Sequence, residues 1–196
     1  MFTQRHTGNF QFIPGGATYC TGVVAQPGYG IAHATFRRPT PFVQAFEAAQ
    51  HHLAGLGRPM AAMCGAEARI PAPLTFEGFG ALNAGYIALL DQHGLMLDGK
   101  GTMTRTNVAP LPTSIAPAEP CLYAFSYTFP ESSGNARTAF IGSGIGELRS
   151  GPAARENIVC LGETSPDAIR AKAEFVMGEA NAQLGKLGVT WDDGSM

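Results

Sequence analysis

Arg105 stands in Thr104-Arg105-Thr106-Asn107-Val108, a polar run in a chain where Asp, Glu, Lys and Arg together make up 14% of the residues. A guanidinium in that setting suits a carboxylate. Its planar fork offers two parallel charge-assisted donors, and a cleft reduces the solvent screening between the partners. The same residue also suits a solvated strand position or a structural ion pair. Ser143 and Gly144 lie in Ile141-Gly142-Ser143-Gly144-Ile145-Gly146, where glycine backbone can turn amide N–H groups toward a ligand or form a bulge. The dinucleotide fingerprint is not met there, because the residues after Gly146 run to Pro152 instead of opening a helix. A nucleophilic Ser143 needs a lysine partner, as in cyclic amidohydrolases, and the spacing pairs neither Lys172 nor Lys186 with it. Glu147, just after the glycine turn, and Glu119, after a proline run, are the nearest acids for proton transfer, although each also fits a solvated charge.

Other chemistry-bearing residues are scattered. Glu47, His51 and His52 share a helical segment but lack a third metal ligand in sequence, so no metal site is expected. His33 alternates with Ile31 and Thr35 and suits either an acid/base in a cleft or a satisfied core histidine. The four cysteines, Cys20, Cys64, Cys121 and Cys160, are widely spaced. Free thiols in a cytoplasmic protein are the expectation, with Cys64 and Cys121 as packing residues. No cofactor is implied.

The positioning framework follows from composition and pattern. At 196 residues and 45% hydrophobic content, the chain can bury a substantial core. Its charge content is well below the roughly 25% usual in globular proteins, so coverage of its surface by another subunit is expected. A net charge of -2 gives no electrostatic basis for nucleic-acid or membrane binding. No window reaches the roughly 18 apolar residues of a membrane span, and the N-terminus has no signal-like apolar run.

Three amphipathic helices are predicted. The first starts at Thr40-Pro41, carries Phe42, Phe46, Ala49 and Leu53 on one stripe, and stops before Pro59. The second runs from about Thr75 to His93 with Phe79, Leu82 and Tyr86 on one side, weakened by Gly78, Gly80 and Gly85. The third is capped by Thr164 or Ser165. Pro166 and Asp167 fill its first turn, and its stripe runs from Ile169 through Ala173, Val176, Met177 and Ala180 to Leu184 and Leu187. Strand-like runs are predicted at 30–38, 59–70 and 103–109, and then at LYAFSYTF, TAFIGSGI and ENIVCLG. The pattern implies α+β layers with helices on one sheet face. The proline-rich 111–120 segment is the predicted linker.

From Leu122 onward, the order LYAFSYTF, TAFIGSGIGE and the long segment ending in Gly188-Val189-Thr190-Trp191-Asp192-Asp193 resembles the RidA family of reactive intermediate imine deaminases. Arg105-Thr106-Asn107-Val108, followed by Leu111-Pro112, resembles that family's carboxylate-binding arginine stretch. The resemblance implies a RidA-like (chorismate-mutase-like) sheet in two related copies. Residues 1–115 would form the first, with an N-terminal extension, and 116–196 a second, incomplete one that lacks its own arginine strand. It also implies a homo-oligomer, typically a trimer, with clefts between subunits. Its implied activity is hydrolysis of a small carboxylated enamine or imine, such as a 2-aminoacrylate-like or aminomuconate-like compound, to a keto acid and ammonia. Arg105 and Glu147 are the expected catalytic residues, with Arg105, Asn107, Ser143 and Gly144 binding substrate. A non-enzymatic ligand-binding or scaffold protein on the same fold is the alternative.

Overall fold

The computed structural model describes residues 1–110, 115–131, 138–150 and 154–193. Leu111-Pro112, most of the predicted linker's first half and the final three residues therefore lie outside the described residues.

The central sheet grows from four strands: β4 (Tyr29–Pro41), β5 (Met63–Arg69), β8 (Thr104–Val108) and β9 (Cys121–Pro130). They lie in the order β4-β9-β5-β8. β9 is antiparallel to both of its neighbours, while β5 and β8 run parallel. A parallel pair needs a crossover, supplied by α2 (Phe76–Gln92) and the small hairpin of β6 (Met96–Leu97) with β7 (Lys100–Gly101). β4 is joined to β5 through α1 (Phe42–Gly55).

Period-two alternation sorts the two faces of this sheet. Ala66 and Ala68 of β5, with Phe125 and Tyr127 of β9, point toward Phe46, Leu53, Tyr86 and Leu90 of α1 and α2 to form the main core. The opposite face presents Ile31 to a second, antiparallel sheet, and Cys64 joins it because a register shift between Met63 and Gly65 breaks the alternation. That sheet contains β1 (Thr3–Arg5), β2 (Phe10–Ile13), β3 (Gly22–Ala25) and β10 (Phe140–Gly142), in the order β1-β2-β3-β10. Its inner side supplies Phe10, Phe12, Val23 and Ile141. Its outer side packs Ile13, Val24 and Phe140 against Leu184 and Leu187 of α3 (Pro166–Leu187). The result is an α+β arrangement of four layers: α1 and α2, the central sheet, the second sheet, and α3.

The helix ends follow local chemistry. Thr75 Oγ1 accepts from Gly78 N to cap α2, and Ser165 Oγ accepts from Ala168 N to cap α3. Gly188, at φ 72°, closes α3 in the left-handed conformation that glycine adopts without strain. α1 departs from expectation at its start: Thr40 is still paired with Leu122 in the sheet, and Pro41 makes no side-chain cap.

Other departures concern long-range arrangement. β9, whose sequence begins the expected second copy, inserts between β4 and β5 of the first, so the 115/116 division does not separate two sheets. ENIVCLG is not a strand. It forms one 3-10 turn and an isolated bridge between Leu148 and Ile158, then turns at Cys160 and Gly162, both at positive φ. The α3 stripe is only half used: Leu184 and Leu187 are buried, while Ile169 and Met177 are 52% and 48% exposed.

Candidate functional site

Arg105 lies on the central sheet's edge strand β8, yet it is only 3% exposed. Its guanidinium packs 4.5 Å from the centre of the Tyr86 ring and 5.6 Å from those of Tyr19 and Phe79. Phe79, Asn83 and Tyr86 share one face of α2 at helical spacing, and Asn83 Oδ1 accepts a 2.7 Å bond from Arg105 Nη2. Arg105 Nε and Nη1 are buried without a hydrogen-bond partner. Burial pulls the Arg105 pKa below its ordinary value, and Tyr86 and Tyr19 oppose that fall. The same burial pushes the Tyr86 phenol up, so the ring stays neutral.

The electrostatic consequence is plain. A buried guanidinium is surrounded by aromatic faces and one neutral amide, with two donors free. Aromatic faces stabilise a cation by about 2 kcal/mol when desolvated, far less than a carboxylate partner would. An anion that reached Nε or Nη1 would give the cation the charged partner that Asn83 does not supply.

A cleft of about 710 Å³ opens beside this group. Tyr19 and Thr21, ahead of and entering β3, form one wall, and Phe79 of α2 forms another. The segment after β10 and the α3 side chains Glu179 and Gln183 complete it. Gln183 donates from Nε2 to the Thr21 carbonyl, tying α3 to the second sheet at the cleft's edge. Gly144 lies against β8, where an added Cβ would come within 3.2 Å of Thr106 Cγ2. Its amide donates to the Arg105 carbonyl at 3.2 Å.

The sequence-derived candidates divide. Arg105, Asn107, Ser143 and Gly144 all line this cleft. The Asn107 Oδ1 atom is buried and unpartnered, a second open polar atom on the same strand. Ser143 is structural in its bonding: its Oγ accepts from Arg105 N at 3.2 Å and donates to the Cys20 carbonyl at 2.6 Å. A hydroxyl whose proton is held by a buried carbonyl is not poised as a nucleophile, and Lys172 Nζ instead donates to the Glu163 carbonyl. Glu147 is not on the cleft lining, although its neighbours Gly146 and Leu148 are. Its carbonyl accepts from Val159 N. Glu119 lines a groove beside α1 and α2 instead.

Tyr19, Asn83, Phe79, Tyr86 and Glu179 are the contributors that sequence reasoning missed. For Asn83 a signal existed, since it is a polar residue between Phe79 and Tyr86 on an otherwise apolar helical stripe. Nothing local marks Tyr19 or Glu179.

A second cleft, of about 500 Å³, is lined by Ile31, His33, Glu67 and Ser126 of the central sheet with residues 138–141. There His33 Nδ1 lies 3.2 Å from Ser126 Oγ, and His33 Nε2 lies 3.5 Å from Glu67 Oε1. Arg69 holds the other Glu67 oxygen at 3.5 Å. Among the described residues, no group of three or more His, Cys, Asp or Glu side chains is placed to hold a metal ion, and no helix is long and apolar enough to cross a membrane.

A family model described as 2-aminomuconate deaminase CnbZ matches residues 2–196. A 2-amino-5-chloromuconate deaminase of Comamonas testosteroni is 37% identical over 187 residues, which cover 95% of this chain and 74% of that protein. No solved structure matches the chain.

Proposed function

Because the chain belongs to the 2-aminomuconate deaminase family CnbZ, we propose that it hydrolyses an aminomuconate-like enamine to a keto acid and ammonia, binding the substrate carboxylate on Arg105. The observation that carries this reading is the pair of unpartnered, buried donors on Arg105 beside a cleft. In 2-aminomuconate the amino-bearing carbon adjoins a carboxylate. A carboxylate on one edge of the guanidinium, taking Nε–H or Nη1–H together with the second Nη2 hydrogen, would fix the carbon within the cleft and cover one of the donors that Asn83 leaves free.

The flat, conjugated body of such a substrate suits the walls. Tyr19 and Phe79 offer aromatic faces, while Val108, Ile145 and Leu148 offer apolar contact. Asn107 supplies a neutral polar atom that can meet an amine or a hydroxyl. A second cation is not among the described lining residues, so recognition by charge is concentrated at one end of the substrate.

The reading extends to fold and assembly. A RidA-like origin for the central sheet is supported by its β-α-β-α-β-β chain order with α1 and α2 on one face. A homo-oligomer, with a trimer as the form the resemblance implies, is supported by the low charge content and by Ile169 and Met177 lying open on α3.

The test is release of ammonia and keto acid from 2-aminomuconate. The parent should accelerate it, and Arg105→Ala should lower kcat/KM about 100-fold, the loss expected for a charge-assisted bidentate contact. Carboxylate binding without turnover would instead identify a non-enzymatic binder, and no acceleration by the parent would overturn the proposal.

A further inference from the structure

Hydrolysis of an enamine needs a group that accepts a proton from water and returns it to nitrogen, and the described lining residues of the cleft offer one carboxylate for this. The titratable side chains among its described lining residues are Tyr19, Arg105 and Glu179. Arg105 remains a cation over the working pH range of proteins. Glu147, the acid nearest the glycine turn in sequence, is not on the lining, and His33 with Glu67 lines the other cleft. Glu179 lies one helical turn before Gln183, whose side chain is fixed to the Thr21 carbonyl. That anchor places the same α3 face over the cleft and brings Glu179 to its wall. Glu179 is itself exposed to solvent, so it reaches both water and the cleft.

Resting on the deaminase reading above, we infer that Glu179 is the general acid/base of the reaction. The sequence balances as follows. The enamine carbon next to the amine-bearing carbon takes up a proton from solvent, and the nitrogen lone pair forms the C=N bond. Water oxygen then bonds to the imine carbon, its proton passes to the Glu179 carboxylate, and the C=N π pair returns to nitrogen. Glu179 passes that proton to nitrogen, and the C–N bond breaks with its pair leaving as ammonia. The hydroxyl oxygen forms the carbonyl and returns one proton to solvent. One water is consumed, and one ammonia and one keto acid form. Arg105 holds the adjacent carboxylate throughout, in the same cleft that Glu179 lines.

The experiment compares the parent, Glu179→Gln and Glu179→Asp across pH with 2-aminomuconate, following ammonia release. Glu179→Gln should lower kcat about 100-fold, within the range for loss of general acid–base catalysis, with KM within a few-fold of the parent. A fall of kcat toward acid pH should be present in the parent and absent in Glu179→Gln. Glu179→Asp should restore both the rate in part and the acid limb. A merely structural glutamate would leave the pH profile unchanged. A Glu179→Gln enzyme with parental kcat and a parental acid limb overturns the assignment while leaving the deaminase reading intact. A parent that releases no ammonia overturns both.

Discussion

Asn83 Oδ1 accepts from Arg105 Nη2 at 2.7 Å, and this amide is the guanidinium's hydrogen-bond partner while its Nε and Nη1 stay unpaired. A neutral acceptor orients the fork without neutralising it. The arrangement keeps a full positive charge available to an incoming anion and fixes the direction from which that anion must come.

Asn83→Asp should convert this orienting contact into an internal salt bridge. The new carboxylate would compete with substrate for the same cation. The expected outcome is a KM at least about tenfold higher, consistent with the energy of charge-assisted hydrogen bonds, together with a higher melting temperature. Steady-state kinetics and thermal unfolding measure the two effects on one preparation.

Arg105→Met should separate stability from function. A buried cation without a carboxylate partner is costly to desolvate, and an apolar side chain of similar length avoids that cost. The melting temperature should be held or raised while deamination is lost. A large drop in melting temperature would mean that Arg105 is chiefly a structural residue.

Ser143→Ala should act in the opposite way. The Ser143 hydroxyl bridges Arg105 N and the Cys20 carbonyl, linking β8 to the segment after β10 and to the approach to β3. Its removal leaves buried polar groups unpaired, at about 1–3 kcal/mol. Chemical denaturation should register that loss, while kcat stays within a few-fold of the parent. Complete loss of turnover in a folded Ser143→Ala protein would revive a serine-nucleophile mechanism.

Cys20 and Cys64 give a pH prediction. Burial pushes both thiols well above their ordinary range, with two backbone contacts partly opposing the rise at Cys20 and the Cys20 charge adding to it at Cys64. The unfolded chain ionises these thiols from about pH 8.5 upward, whereas the folded chain keeps them protonated. The unfolded state therefore binds fewer protons there, and stability is full below about pH 8.5 and declines as pH rises. Urea unfolding under reducing conditions at pH 7 and pH 10 should show the decline, with a shallower slope for Cys64→Ala.

Much of the local structure was legible because its causes are local. Ser165-Pro166-Asp167 and Gly188 mark the ends of α3, Thr75 marks the start of α2, and alternation marks β4 and β9. Arg105 itself was legible as a charge in a polar run, whereas Gly144, read as turning its amide toward a ligand or forming a bulge, instead donates to the Arg105 carbonyl. The strand order was not, because pairing β9 with both β4 and β5 is decided by which faces can be buried together. The walls of the cleft were hidden for the same reason. Tyr19 and Glu179 reach Arg105's cleft only after the second sheet stacks on the central one and Gln183 ties α3 to Thr21. Thr40 misled because an N-cap residue type can equally well end a strand, and here it pairs with Leu122.

The most direct test of the central claim is equilibrium binding of muconate, a six-carbon dicarboxylate diene without the amine, to the parent and to Arg105→Met by titration calorimetry. The account predicts binding by the parent and at least about tenfold weaker binding by the variant, the loss of a charge-assisted contact. Equal affinity in the two folded proteins would contradict it, because the carboxylate would then be held somewhere other than Arg105.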